Sequence, residues 1–197
     1  LWRVHKPKHP ESYLFGTIHV DDKRVKKLSK KVKKRFNESK TLCLEIIPDR
    51  ETQVGIGLAM LLPQDKTLDV ILGEALFNRL SLALHKKGVT PVESVHLKPW
   101  AAMIVLSRPL SRGGLALDEQ LYHWGQHQYK QLCGLETLKE QLSVFDELVV
   151  EDQVALLKDT LNNVGVLEEL NEQLIQAYLS GNLDEIYRRS LDMEGSD

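Results

Sequence analysis

Thr41-Leu42-Cys43-Leu44-Glu45-Ile46-Ile47 is an almost unbroken apolar run. A run of this length reads as a strand covered on both faces, the kind that sits in a sheet flanked by helices. Upstream, residues 1–5 and 13–18 read as a hairpin whose turn lies around Pro10. Asp21 and Asp22 offer an N-cap to a helix over 21–37, with Val25, Leu28, Val32 and Phe36 as an apolar stripe among lysines. Downstream, helices are predicted over 50–62 and 68–87, the second closed by Lys86-Lys87-Gly88, then from Lys98-Pro99-Trp100 to about 106 and over 118–128. Residues 129–135 form a second strand-like run, after which helices alone are expected, over 137–147, 150–163, 166–179 and 183–193. Strands mixed with helices at the front and helices alone behind predict a helix-dominant α/β fold, with a central sheet carrying helical insertions or a cap.

The 197 residues, 42% hydrophobic and 27% charged, can bury the core of one globular domain, which excludes disordered and collagen-like chains. A net charge of −2 conceals a gradient: basic residues outnumber acidic ones 13 to 4 over 1–40, match them 9 to 9 over 41–135, and fall to 4 against 15 over 136–197. Such ends bind different partners or lie against each other. The longest apolar run, 54–62, holds nine residues with Gly55 and Gly57 inside it, too short to cross a bilayer. No P-loop or dinucleotide fingerprint is present, and the basic stretch 23–35 has no aromatic platform for bases, so neither nucleotide chemistry nor a nucleic-acid partner is expected. Cys43 and Cys133 are too few for a disulfide scaffold and too widely spaced for a zinc knuckle; they form one bridge or none.

Four residues stand where strands or loops end. Gly16-Thr17-Ile18-His19 closes a strand, at the edge where open sheets place functional side chains. Glu45 is a carboxylate within an apolar run, which needs a partner or an outlet to water. Glu136 follows the second inner strand, and Asp118 follows the glycine-rich 113–117 loop. Each has a plain structural alternative: His19 as a capped or solvent-exposed loop histidine, Glu45 as a strand end that reaches water, Asp118 as an N-cap and Glu136 as a cap or dipole partner at a helix start. Together, His19, Glu45 and Glu136 at a shared sheet edge make one cleft. An imidazole with carboxylates suits manganese, cobalt, iron or zinc, which activate water for hydrolysis. His123 and His127 in His-Trp-Gly-Gln-His, with Glu119, are a rival set one helical turn apart, but Trp124 stands where a zinc protease helix has glutamate.

The spaced motifs Leu1-Trp2-Arg3-Val4, Ser12-Tyr13-Leu14-Phe15-Gly16-Thr17-Ile18-His19-Val20, Leu44-Glu45, Lys98-Pro99-Trp100, Leu117-Asp118, Gly134-Leu135-Glu136-Thr137 and Glu140-Gln141 are similar, in order and spacing, to those of the TraB/GumN family. That family is related to the Tiki metalloproteases and more distantly to haem-binding ChaN and erythromycin-esterase-like folds. The likeness runs to about Arg189, where Gly181-Asn182-Leu183 looks like the family's Gly-Asp-Leu. It implies an α/β fold and a site centred on His19, with Glu45 and Glu136 as the family's acidic positions and Asp118 as the aspartate after its glycine-rich loop. The implied chemistry is peptide hydrolysis with manganese or cobalt: His19 a metal ligand, Glu45 and Glu136 ligands or general base, Asp118 a ligand or its partner.

The family's Arg-Asn segment and second G-x-x-H do not occur in these residues, so 1–197 is expected to be a single TraB/GumN-like domain, incomplete at its C-terminal end. An unpaired sheet edge would follow, and with it a homodimer. The opening Leu-Trp-Arg-Val resembles the start of mature bacterial members just after a signal peptide, which implies a periplasmic or cell-envelope location. The alternative function is a non-catalytic cell-envelope protein that binds metal, haem or a peptide in the same pocket.

Overall fold

The computed structural model describes residues 1–110 and 113–194. The chain divides into two compact units, each made of two stretches: Leu1–Pro48 with Arg112–Glu136, and Asp49–Ser111 with Thr137–Asp197. Helix dominates, and the strands form two separate two-stranded sheets.

In the first unit, β1 (Trp2–Val4) pairs antiparallel with β2 (Ser12–Leu14), Arg3 opposite Tyr13. The strand expected over 13–18 ends at Leu14, and an irregular segment carries the chain to α1 (Lys30–Glu38). That helix starts well after the expected position, with Ser29 as N-cap accepting from the Val32 amide at 3.3 Å. The reason lies in Asp22, whose carboxylate accepts the Arg24 amide at 2.7 Å and folds the chain into a turn. Val25 and Leu28, expected on the helical stripe, are buried all the same.

β3 (Thr41–Leu44) runs parallel to β4 (Gln131–Gly134), with Cys43 opposite Cys133 and the two joined by a disulfide. The strand is shorter than the expected 41–47 and is not covered on both faces: Leu44 is buried, while Thr41 and Cys43 are exposed. A two-stranded sheet shields only the alternate residues that face its helix. That helix is α7 (Leu117–His127), and Gly125 lets it lie close, because a Cβ there would stand 2.9 Å from Leu42 Cδ2 and 3.1 Å from Leu132 Cδ2.

The second unit contains α2 (Arg50–Ala59), α3 (Leu68–Leu72), α4 (Glu74–Lys86), α5 (Pro91–Ser94), α6 (Pro99–Ser107), α8 (Leu138–Asp146), α9 (Val150–Asn162), α10 (Val164–Ser180) and α11 (Leu183–Glu194). The single helix expected over 68–87 is two, divided at Gly73 with φ +76°, a conformation that glycine adopts without a steric penalty. The sequence of α6 is apolar all round, so the helix belongs inside. Its Trp100, Ala101, Ala102 and Leu106 form a core with Leu80 and Leu84 of α4 and Leu157 and Leu161 of α9. The indole N–H of Trp100 donates to Asp146 Oδ1 at 2.8 Å, and its ring stacks on Phe145. Among the described residues, no helix is long and apolar enough to cross a membrane.

Candidate functional site

The site lies wholly in the first unit, where three segments deliver one side chain each. His19 comes from the irregular segment after β2, Glu45 from the residue following β3, and Asp118 from the first turn of α7. The imidazole stands between the two carboxylates. Nε2 donates to Glu45 Oε2 at 3.2 Å, and Nδ1 lies 3.1 Å from Asp118 Oδ1. The side chains of His19 and Glu45 are 55% and 57% exposed and that of Asp118 24%, so the group opens to water on the Glu45 side.

Charge follows from this geometry. The Asp118 carboxylate close to Nδ1 raises the imidazole pKa above the ordinary histidine value; burial opposes it, and the Glu45 carboxylate adds to the rise. Asp118 gains further from its place in the first turn of α7, where the positive end of the helix dipole favours a carboxylate. The expected cap role of Asp118 is taken elsewhere: Ala116 is the N-cap residue, and its amide donates to Glu119 Oε2 at 2.8 Å. Asp118 is thereby released to face His19.

Glu136 is beside the group through its main chain. Its amide donates to the Glu45 carbonyl at 2.9 Å, which carries the β3–β4 pairing past the strand ends. No contact of its carboxylate with His19, Glu45 or Asp118 is found among the described residues. The cap expected of it belongs to Thr137, which accepts the Glu140 amide in a capping box. The rival histidine set is not assembled as a ligand group either: Glu119 is occupied with its cap, and the His123 ring packs edge-on against Tyr122.

The donor types at His19 suit a hard or borderline divalent cation. Their arrangement is that of an imidazole engaged by carboxylates at both nitrogens. Among the described residues no group of three or more histidine, cysteine, aspartate or glutamate side chains is arranged to hold a metal ion. Metal binding here requires His19 to give up at least one carboxylate contact, so that a ring nitrogen can present its lone pair.

Two residues escaped the sequence reading. Asp21, a helix-cap candidate in the sequence, and Lys26, one of the lysines beside the apolar stripe, form an ion pair with side chains only 9% and 18% exposed. The available signal was the position of Asp21 two residues after His19, together with the Gly113-Gly114 pair that precedes Asp118.

Comparison with known proteins extends the picture beyond the geometry. The model of the TraB/PrgY/gumN family matches residues 1–197. The metalloprotease TIKI2 of Xenopus tropicalis is 37% identical over 82 residues, which are 41% of this chain and 15% of that protein. A metalloprotease TIKI homolog of Amphimedon queenslandica is 34% identical over 82 residues, 41% of this chain and 16% of that protein. The matched stretch is therefore a small part of both relatives. No solved structure matches the chain.

Proposed function

The chain belongs to the TraB/PrgY/gumN family, and from this we propose that its His19 site is that of a metal-dependent hydrolase acting on peptides. Its likeness to two metalloproteases over 82 residues supports a hydrolase that uses a divalent metal. The observation that carries the reading is the placement of His19 within 3.2 Å of two carboxylates drawn from separate segments, in a group open to water.

His19, Glu45 and Asp118, with Glu136 at the neighbouring strand end, would hold the cation, manganese or cobalt by resemblance. A divalent cation supplies a water of lowered pKa and polarises a scissile carbonyl. The remaining roles fall to the chain itself. Asp118, the more buried carboxylate, orients the imidazole through Nδ1, while the carboxylate of Glu45, the more exposed one, takes the proton of the attacking water. The test is cleavage of a peptide library in manganese or cobalt, read by mass spectrometry. Cleavage should fall by about a hundredfold or more in His19→Ala and in Glu45→Gln. Cleavage unchanged in both variants, or none in the unaltered protein, contradicts the proposal.

One observation favours a second reading. Both ring nitrogens of His19 are engaged by carboxylates, so no open position for a reactive water stands ready, which supports the alternative of a non-catalytic protein that takes metal, haem or a peptide only once such a contact opens. Metal binding without cleavage would select it. The Cys43–Cys133 disulfide supports the proposed cell-envelope location, since such bonds persist in oxidising compartments. Among the described residues β3 and β4 pair only with each other, and the outer edges this leaves support the proposed homodimer, which a monomeric mass by light scattering would refute.

A further inference from the structure

We propose that Asp21 and Lys26 are positioning residues of the His19 site, clasping the glycine-rich loop so that Asp118 meets the imidazole. The proposal rests on the reading of His19 and Asp118 as partners in that site.

The clasp has two arms. Asp21 Oδ2 accepts the Gly114 amide at 2.6 Å, and the same carboxylate pairs with the Lys26 ammonium. Lys26 Nζ in turn donates to the Leu115 carbonyl at 3.1 Å. The loop thus gives one N–H and one C=O to the same buried pair. Close approach makes glycine necessary: a Cβ on Gly114 would stand 2.5 and 2.9 Å from the Asp21 oxygens and 2.9 Å from Lys26 Nζ. From Gly114 the chain reaches Asp118 in four residues, and the next amide past Leu115, that of Ala116, is held by Glu119. Consecutive ties therefore fix the path along which Asp118 enters α7.

The other end of the clasp lies two residues from His19. The segment between β2 and α1 has no strand ladder to hold it, and its local order comes from short turns such as the Val20 amide on the Ile18 carbonyl at 2.9 Å. The contact of His19 with Glu45 involves side chains open to water, and exposed ion pairs contribute little to holding two loops together, while Asp118 Oδ1, the atom facing Nδ1, is buried and depends on the path of its own segment. The Asp21–Lys26 pair is much more buried. A charge pair withdrawn from water is weak evidence for stability and stronger evidence for a fixed arrangement. Asp21 joins the two loops, and the arrangement it fixes is the one in which His19 faces Asp118.

The test uses the metal-free, isotope-labelled chain at one pH, so that it does not depend on catalysis. Two spectroscopic quantities are read: hydrogen exchange of the Gly114 amide, and the ring-nitrogen chemical shifts of His19. In Asp21→Ala, Gly114 should exchange at least about tenfold faster, and the His19 Nδ1 shift should move to its value in Asp118→Asn. Lys26→Met should move both in the same sense, and Lys26→Arg should keep both near those of the unaltered protein. Faster Gly114 exchange with unmoved His19 shifts would mean a merely structural tie and overturn the proposal, as would slow exchange retained in Asp21→Ala. Should Asp21→Ala fail to fold, Asp21→Asn removes the charge that holds Lys26 but keeps an oxygen that accepts the Gly114 amide, so it is judged by the His19 shifts alone, which should move as in Lys26→Met and, if unmoved, overturn the proposal. A protein that neither binds manganese nor cleaves peptides would fail the hydrolase reading while leaving these shifts to decide the clasp.

Discussion

In the helical unit, Trp100, Leu68, Leu80, Leu84, Leu106 and Leu157 are fully buried around α6, whereas in the unit that carries His19 the described large apolar side chain buried to that degree is Leu117. The second group is held by other means: the Cys43–Cys133 disulfide, the Asp21–Lys26 clasp, and Lys130 Nζ donating to the Ser39 carbonyl. The contrast shows two ways of fixing a chain. A leucine-rich core excludes water and with it any exposed imidazole, while polar and covalent ties hold segments together at a surface where charges stay solvated.

The largest effect should come from the core. Trp100→Ala removes a fully buried ring and its N–H bond to Asp146, which keeps Lys98 as partner, so unfolding in urea should show a loss of about 3–5 kcal/mol. A loss under about 1 kcal/mol would break the contrast between the units. Next, replacing both Cys43 and Cys133 by alanine frees a link across a sequence separation of 90 residues and should cost about 2–4 kcal/mol by the same measurement. If the first unit were held by apolar packing instead, the double variant would unfold with the parent. Smaller again, Gly125→Ala should cost about 1 kcal/mol, because the added methyl meets the Cδ2 ends of Leu42 and Leu132, which must turn aside for α7 to keep its seat on the sheet. An unchanged melting temperature would show that α7 is not seated as described.

The smallest effect is electrostatic. A folded-state pKa raised above the unfolded value makes the His19 contribution to stability complete below the ordinary histidine pKa. That contribution is lost as pH rises through the raised value. Over that window the metal-free protein should lose stability relative to His19→Ala, modestly, because water screens so exposed a group. Equal pH profiles for the two proteins would remove the ion-pair description.

Helices with a dense apolar face, such as α6 and α9, were legible in the sequence to within a residue or two, since burial follows periodicity. The expected helix over 21–37 was over-long because side chains that cap helices also make turns, and Asp22 makes one here. The inner strand was over-read through Ile46 and Ile47 because an apolar run does not disclose how many strands will cover it. The grouping of His19 with Glu45 was legible from element ends, while Asp118 joined them only through the family resemblance and Glu136 was grouped with them in its place. The direction of the Glu136 side chain was not legible, since a strand end fixes where a residue lies and leaves its rotamer to the surroundings. Gly125, inside the His-Trp-Gly-Gln-His stretch, is where α7 lies against Leu42 and Leu132 of the sheet.

The central claim, that His19 organises a divalent-cation site, is most directly tested by calorimetric titration of manganese and cobalt into the unaltered chain, His19→Ala and Asp118→Asn. The account predicts binding that is lost in His19→Ala and weakened by about ten- to a hundredfold in Asp118→Asn. Equal affinity in all three proteins, or no binding in the unaltered chain, would contradict it.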